Sequence, residues 1–178
     1  MRKANLIKIR EISEDDIQRA QEFLEYFNSL VEEEAMICLD RKKNLEQEIK
    51  WLNSNLEAQQ KKKKVVTIAE DEKNRRIVGI AEITLKSGRQ SHVGELGISV
   101  KKEYRGKGVG KMLLDSVLSL AVEKLDPKPQ IIRLSVFSEN DVAINLYRKA
   151  GFIEVAVVPE QYQYKGKKVD EIIMIKKV

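Results

Sequence analysis

Cysteine and histidine are almost missing from this chain, in which Cys38 and His92 are the single residue of each type. One cysteine excludes an intramolecular disulfide framework and suits a reducing compartment. One histidine excludes a histidine-rich metal cluster, so we expect no metal site. A serine or cysteine nucleophile paired with histidine would depend on His92, and no Gly-x-Ser-x-Gly motif accompanies it. Covalent catalysis through such a pair is therefore not expected.

Long apolar runs are missing as well. No segment approaches the ~20 apolar residues that span a bilayer, and Met1-Arg2-Lys3 leads directly into a predicted strand without a signal-peptide core. We therefore expect a soluble, cytoplasmic protein. A chain of 178 residues is most simply one domain, covering 1–178, that is large enough to bury a core.

Charge of one sign is not concentrated along the chain. There are 33 Lys and Arg residues and 28 Asp and Glu residues, with a net charge of +5, and the two signs are mixed. This pattern favours a solvated surface over a stripe that binds nucleic acid. The one dense patch, Lys61-Lys62-Lys63-Lys64, lies between a helical pattern and a strand. It fits a solvated loop, which we favour, or a contact with nucleic acid or another acidic partner.

Apolar periodicity in the first half predicts a strand, two helices and three further strands. Residues 6–12 alternate as a strand does, and Ser13 with Asp16 forms a capping box that predicts a helix start. A second helical pattern follows, so residues 13–58 are predicted to form a helical pair. An antiparallel meander then follows, with strands at residues 65–69, 77–85 and 93–100.

The second half predicts a long helix followed by three strands. Apolar residues keep helical spacing as far as Leu125, and a Pro-x-Pro segment ends the pattern. Residues 131–137 are apolar enough for a buried strand, which a strand–helix–strand crossover places parallel to residues 93–100. Residues 131–178 are completed by strands at 152–158 and 169–175.

A glycine-rich loop joins the strand at 93–100 to the long helix. Glycines at 106, 108 and 110 leave N–H groups uncovered at a helix start, where unpaired donors and the helix dipole favour an anion such as phosphate. A Walker A loop is excluded because Met112, which has no hydroxyl, follows Lys111. A dinucleotide fingerprint is excluded because its last glycine would fall at Lys111 or Leu113. A flexible strand-to-helix turn is the structural alternative.

Two motifs in this chain resemble those of one family. The spacing Arg-Gly-x-Gly-x-Gly at residues 105–110 resembles the acetyl-CoA pyrophosphate loop of the GNAT N-acetyltransferase superfamily. Residues 140–152 resemble its Asn-led helix, which carries a tyrosine and ends in Gly-Phe. The resemblance covers nearly everything after residue 65. It implies an α/β (α+β) fold: a mixed, mostly antiparallel sheet of six to seven strands flanked by helices, with the parallel strands 93–100 and 131–137 splayed apart.

The resemblance also implies that acetyl-CoA is the cofactor, bound by the strand–loop–helix unit at 93–125. Family members use the N–H group equivalent to that of Ile98 or Ser99 to stabilise the oxyanion, and pantetheine would insert like an extra strand. The implied cofactor-binding residues are Ile98, Ser99, Val100, Arg105, Gly106, Lys107, Gly108, Val109, Gly110, Lys111, Asn140 and Tyr147.

Glu95 and Tyr147 are the catalytic candidates that the resemblance implies. An amine must lose a proton to attack a thioester, and amine pKa values of ~8 to ~10.4 leave most of it charged near pH 7. Glu95 resembles the glutamate base of family members that carry one on this strand, although other branches use the next strand, where this chain has Ser135. Tyr147 matches the tyrosine that assists the departing thiolate. A solvent-facing carboxylate and a core tyrosine are the structural alternatives.

The acceptor is predicted as a primary amine, on a small molecule or on a peptide or protein N-terminus. In the family, the helical pair 13–58 and the final hairpin, here residues 162–171, border the acceptor site. Packing and solvation are the simpler roles for the candidates on the helical pair, which are Tyr26, Phe27, Glu32, Glu33, Glu34 and Trp51. A non-catalytic acyl-CoA-binding module is the alternative function, and the formation of a homodimer stays open.

Overall fold

The computed structural model describes residues 6–178, so the predicted start at Met1-Arg2-Lys3 lies outside the described residues. The strands are β1 (Ile7–Glu11), β2 (Lys64–Asp71), β3 (Arg76–Leu85), β4 (Val93–Val100), β5 (Ile131–Phe137), β6 (Ile153–Tyr164) and β7 (Lys167–Lys177). The helices are α1 (Ala20–Glu32), α2 (Leu45–Gln60), α3 (Val109–Lys124) and α4 (Asp141–Lys149).

The seven strands form one sheet in the order β1-β2-β3-β4-β5-β7-β6. Neighbouring strands are antiparallel except for β4 and β5, which are parallel. Helix α3 is the crossover that a parallel pair requires. The predicted mixed, mostly antiparallel sheet is confirmed. Strands β6 and β7 are longer than the apolar segments predicted, because their ladder continues to the Tyr164–Lys167 pair at the hairpin tip.

Two apolar cores lie on opposite faces of the sheet, because successive side chains of a strand point to opposite faces. One core packs α1 and α2 against β2 and β3 and includes Phe23 and Leu52. The other packs α3 and α4 against the opposite face and includes Leu113 and Ile144. Within residues 6–178, no helix is long and apolar enough to cross a membrane.

A cluster of ion pairs ties β1 and β2 to the turn that precedes α1. Asp16, 1% exposed, accepts a hydrogen bond from the Ser13 N–H at 2.9 Å and two from the Arg10 guanidinium at 2.7 Å. Arg10 and Arg19 both donate to Glu70 on β2. The predicted helix start at Ser13 is confirmed, although its first turn is 3₁₀ rather than α.

The lysine patch at residues 61–64 lies between α2 and β2. Lys61 and Lys64 form ion pairs with Glu57 and Glu82, and Lys63 donates to a backbone carbonyl. These contacts suit a solvated loop better than an array of unpaired charges.

The sheet is split between β4 and β5. Their pairing ends at Glu95 and Arg133. Beyond that point β4 stays paired with β3 as far as Val100, while β5 stays paired with β7 as far as Phe137. The predicted splay of the two parallel strands is therefore confirmed, and it opens toward the ends that carry the glycine loop and the start of α4.

Candidate active site

The glycine loop presents unpaired donors to open space. Gly106 and Gly108 have φ values of +71° and +85°, a left-handed conformation that glycine adopts without strain, and a Cβ built on either would meet nothing within 4 Å. Gly108 is the N-cap of α3. The N–H groups of Val109, Gly110 and Lys111 in the first turn find no acceptor within the described chain. This arrangement suits an anion.

The third glycine of the loop serves packing instead. A Cβ built on Gly110 would come 3.3 Å from Leu146 Cδ2 on α4. Helix α4 therefore packs closely against the first turn of α3, which puts the residue next to Tyr147 beside the loop.

Arg105 braces the loop against its surroundings. Its Nε donates to the carbonyl of Val100 at 2.8 Å, and its guanidinium pairs with Glu33 at the end of α1. Lys107 Nζ lies 5.4 Å from the centre of the Tyr104 ring. Residues 105–111 thus carry three positive charges, of which Arg105 and Lys111 are already paired with carboxylates.

Tyr104, just before the loop, anchors it to β2. Its hydroxyl donates to Asp71 Oδ2 at 2.6 Å, and Asp71 is 1% exposed. Burial, and then the hydrogen bond to this carboxylate, raise the pKa of Tyr104 to about 12. The hydroxyl therefore stays a donor across the physiological pH range.

The backbone of β4 directs alternate N–H groups into the split. The N–H of Lys101 donates to β3 at 2.8 Å, and the carbonyl of Val93 accepts from the residue after β3 at 2.9 Å. Because bonding alternates along an antiparallel strand, odd-numbered residues of β4 bond β3 and even-numbered residues face the other way. The N–H of Ile98 therefore points into the split, beyond the last pair with β5, whereas that of Ser99 points to β3.

Glu95 lies at the apex of the split, on the sheet face that carries α1 and α2, since its neighbour Leu96 lies in the opposite core. Its side chain is 38% exposed. Lys86 Nζ lies 3.0 Å from Oε2, an ion-pair distance without hydrogen-bond geometry, so this shielded oxygen accepts no hydrogen bond in the described chain. The carboxylate is thus paired in charge with Lys86, while its side chain stays partly exposed.

Ser99 and Tyr26 connect β4 to α1. Tyr26 is fully buried, and its hydroxyl lies 2.8 Å from Ser99 Oγ. Burial raises the pKa of Tyr26 above its usual value. The Ser99 side chain is therefore part of the support of β4.

Helix α4 carries two predicted site residues. Asn140 caps it by accepting a hydrogen bond from the Ala143 N–H at 3.2 Å. Tyr147 is 6% exposed, with its ring centre 5.8 Å from that of Phe152. Burial raises the pKa of Tyr147 above its usual value, and its hydroxyl has no hydrogen-bond partner within residues 6–178.

The final hairpin forms an aromatic wall on the Glu95 side. The Phe137 ring at the end of β5 stacks on Tyr162, with centres 3.9 Å apart, and meets Tyr164 edge-on. The Tyr162 hydroxyl donates to Glu171 at 3.2 Å. That of Tyr164 donates to the carbonyl of Glu34 at 2.7 Å, which closes the hairpin onto the end of α1.

The candidates on the helical pair have mainly structural contacts. Tyr26 is buried under β4, and Phe27 packs edge-on against Trp51, with ring centres 5.1 Å apart. The three glutamates form ion pairs with Lys42, Arg105 and Lys165, respectively.

Sequence reasoning missed Arg133, which lies beside Glu95 on β5. The two are register partners of parallel strands, so their side chains share a face. No hydrogen bond or ion pair of Arg133 is found within the described chain, and its Nε is shielded from solvent. The signal that was available is a charged residue inside an otherwise apolar strand pattern.

Comparison with known proteins agrees with this geometry. The family model described as Acetyltransferase (GNAT) family matches residues 21–152. N-alpha-acetyltransferase RimI of Mycobacterium tuberculosis is 33% identical over 69 residues, which is 39% of this chain and 40% of that protein. L-amino acid N-acetyltransferase AaaT of Escherichia coli is 32% identical over 87 residues, 48% and 52% of the two chains. The match thus spans about half or less of these curated relatives.

Solved structures extend the likeness over nearly the whole fold. The acetyltransferase of GNAT family from Streptococcus pneumoniae has a TM-score of 0.83 at 26% identity, covering 97% of this chain and 100% of that one. The yncA protein of Salmonella typhimurium, solved with its cofactor acetyl-CoA, has a TM-score of 0.80 at 23% identity, with 97% and 94% covered. Since the family model also covers more than half of the sequence, this chain belongs to the GNAT acetyltransferase family.

Proposed function

We propose that the protein is a single-domain N-acetyltransferase that uses acetyl-CoA to acetylate a primary amine by direct attack. The observation that carries the proposal is the split between β4 and β5. Within the described chain it leaves the N–H of Ile98 without a strand partner, and the glycine loop leads into a helix turn whose first three N–H groups find no acceptor. The single cysteine suits a reducing compartment, and we propose that the enzyme acts in the cytoplasm.

The residues present fit this cofactor. A pyrophosphate needs donors and positive charge, which the first turn of α3 and Lys107 offer next to the open space outside Gly106 and Gly108. We propose that residues 98–100, residues 105–111, Asn140 and Tyr147 hold it. When bound, acetyl-CoA would supply the acetyl group as a thioester.

Three groups of the chain would perform the transfer. Glu95 takes the proton of the amine, directly or through water, with its partly exposed carboxylate. The N–H of Ile98 donates to the carbonyl oxygen as negative charge develops there, and we prefer it to Ser99 because it faces the split.

Tyr147 would donate a hydrogen bond to the sulfur as it departs. Proton transfer from an ordinary phenol to a thiolate is uphill by about 1.5 pKa units, or roughly 2 kcal/mol, and burial of Tyr147 makes complete transfer harder still. A hydrogen bond that strengthens as the carbon–sulfur bond breaks is therefore the proposed role.

The names of two relatives and the position of Glu95 support our proposal for the acceptor class. The names of the two curated relatives specify an N-alpha-acetyltransferase and an L-amino acid N-acetyltransferase. Both names suggest an α-amine as the acceptor for this chain, either on a free amino acid or at the N-terminus of a peptide. The wall of Phe137, Tyr162 and Tyr164 borders the face from which such an amine would approach Glu95.

A screen of amines with thiol detection tests the proposal. The purified protein is incubated with acetyl-CoA and amino acids, polyamines or N-terminal peptides, and released thiol is measured with a thiol-reactive dye. We expect thiol release that depends on the amine and rises as the pH approaches the amine's pKa. Calorimetric binding of acetyl-CoA without thiol release for any amine would contradict the catalytic proposal and indicate a binding module.

A further inference from the structure

Two opposite charges at the apex of the split have unused hydrogen-bonding capacity. Glu95 Oε2 and Arg133 Nε are both shielded from solvent and have no hydrogen-bond partner within the described chain. The only other buried side-chain atom of this kind in residues 6–178 is Glu48 Oε1 on α2. Two of the three unsatisfied atoms thus belong to side chains that share one sheet face on adjacent strands.

Such atoms destabilise a fold, so the presence of two of them on adjacent strands needs an explanation. A buried polar group without a partner costs about 1–3 kcal/mol, and more when it is charged. Glu95 and Arg133 could have neutralised each other, but no ion pair joins them, and Lys86 is the cation next to Glu95. Among residues 6–178, the Arg133 guanidinium therefore has no acceptor.

The surroundings leave this face open. The flanking residues Leu96, Ile132 and Leu134 belong to the core under α3 and α4. The core under α1 and α2 contains no residue of β4 or β5 within the described chain, and both Glu95 and Arg133 stay partly exposed. The exposed parts of both side chains are therefore accessible to a small molecule.

We propose that Arg133 binds the carboxylate of the acceptor, so that the substrate is a free α-amino acid. This inference rests on the proposed function, which gives Glu95 to the amine. An α-amino acid carries its ammonium and carboxylate on one carbon, and the two side chains present the complementary charges on adjacent strands. A guanidinium matches a carboxylate with two parallel N–H donors. At a peptide N-terminus an uncharged amide replaces this carboxylate, so Arg133 disfavours it.

The first test changes the substrate and leaves the protein intact. Proteinogenic L-amino acids are offered to the wild-type enzyme as free acids and as primary amides, and kcat/KM is measured by thiol release. Near neutral pH a larger fraction of the amide is unprotonated, which makes it the better intrinsic nucleophile. A preference for the acid therefore requires a contact with the protein, and we expect about 10- to 100-fold, the range of a charged hydrogen-bonded pair.

The second test removes the guanidinium. Arg133→Met keeps the length of the side chain, and we expect kcat/KM for the acid to fall by about 10²-fold while that for the amide stays unchanged. Arg133→Lys keeps the positive charge but loses the two parallel N–H donors. Its kcat/KM for the acid should therefore lie between those of the wild type and Arg133→Met. Arg89→Met removes an equal charge from the exposed turn before β4 and should leave kcat/KM unchanged for both the acid and the amide.

Calorimetry separates this inference from the catalytic proposal. The same acids and amides are titrated into the wild-type protein saturated with coenzyme A. Tight binding of an acid but not of its amide supports the role of Arg133 even if no thiol is released, in which case the catalytic proposal alone fails. Acetylation or binding of amides as strong as that of the acids overturns the inference and leaves the acetyltransferase intact. Because acids and amides are compared on the wild-type protein, the inference can be tested even if Arg133→Met does not fold.

Discussion

Four polar groups on the elements around the split have no hydrogen-bond partner in the described chain: the N–H of Ile98, Glu95 Oε2, Arg133 Nε and the hydroxyl of Tyr147. Asp16, by contrast, is paired by its arginines, although Glu48 Oε1 on α2 is also without a hydrogen-bond partner within residues 6–178. Native folds leave few buried polar groups unpaired, because each costs about 1–3 kcal/mol, and Glu95 Oε2 and Arg133 Nε are buried atoms of this kind. At the residue scale, a bound ligand that supplies the missing hydrogen-bond partners would explain why these groups lie around the split.

Glu95→Gln removes the proposed base while keeping the side chain's size. We expect turnover to fall by about 10²-fold or more, with the largest loss at low pH, where most of the amine is protonated. Cofactor affinity should stay nearly unchanged because Glu95 faces the acceptor side. The measurement is a pH profile of kcat by thiol release, with calorimetry for acetyl-CoA.

Glu57→Gln provides the control for Glu95, because it removes an exposed carboxylate from α2 that pairs with Lys61. Its pH profile should match that of wild type. If the Glu95 variant stays within about twofold of wild type at every pH, Glu95 is not the base.

Tyr147→Phe keeps the buried ring and removes its hydroxyl. If the hydroxyl assists the departing sulfur, turnover should fall by about 10²-fold with little change in the KM of the amine. Thermal unfolding should be nearly unchanged, because the hydroxyl has no partner within the described chain to lose. Full activity in this variant would leave Tyr147 as a packing residue, and a lower melting temperature with full activity would show the same.

At the scale of elements, the strand–loop–helix unit combines three uses of glycine. Gly106 and Gly108 allow left-handed turns and leave open space near N–H groups that find no acceptor in the described chain. Gly110 lets α4 approach α3. Arg105 then joins the loop to the end of α1 through Glu33. The proposed phosphate site is therefore held by contacts from both helical layers.

Gly108→Asp should weaken acetyl-CoA binding by about 10²-fold or more, because it puts a carboxylate at the helix start where a pyrophosphate is proposed to sit. The measurement is the calorimetric Kd for acetyl-CoA. Gly88→Asp is the matched control, since Gly88 also has a positive φ, +60°, and a Cβ built on it would meet nothing within 4 Å, but it lies in the turn before β4.

The two aspartate variants should lose comparable stability through backbone strain, and only the loop variant should lose affinity. An unchanged Kd in a folded Gly108→Asp protein would contradict the loop assignment. An equal loss in the Gly88 variant would indicate a general effect of charge or strain.

At the scale of the whole molecule, the split divides the sheet, and contacts at its ends hold the parts together. At the end of α1, Glu33 pairs with Arg105 while the neighbouring Glu34 pairs with Lys165 on the final hairpin. At the β1 edge of the sheet, the ion-pair cluster joins β1, β2 and the turn before α1. Burial alone would raise the pKa of Glu70, but hydrogen bonds from its arginines outweigh burial and lower it.

Glu70→Gln should lower the free energy of unfolding at neutral pH by about 2 kcal/mol, the value of a charged hydrogen bond. The melting temperature should fall by about 4–8 °C. Because the folded pKa lies below the unfolded value of ~4.3, this stabilisation is complete above that value and is lost as the pH falls through the folded pKa. The difference from wild type should therefore shrink below about pH 4.

Urea unfolding of both proteins at neutral and acidic pH checks this prediction. Glu72→Gln, at an exposed position in the adjacent turn, is the control and should match wild type at each pH. A deficit in Glu70→Gln that stays constant into acid would show that its carboxylate is not held ionised by the arginines.

The amino-acid sequence by itself determined the elements and their connection. Alternating and helical spacings located β4 and β5 at their observed bounds, and the strand–helix–strand order made these two strands parallel. The glycine spacing located the loop at the start of α3. These features depend on local chain geometry, which a single segment carries in its own residues.

The tertiary structure alone decided which groups meet. The register of β4 on β3 directs the N–H of Ile98 into the split and that of Ser99 away from it, and no local pattern contains that information. Packing of α1 near the glycine loop pairs Glu33 with Arg105, and the register of β4 and β5 places Arg133 beside Glu95. These contacts join residues far apart in the chain, so they follow from how the strands pair and the helices pack and are absent from the sequence of any one element.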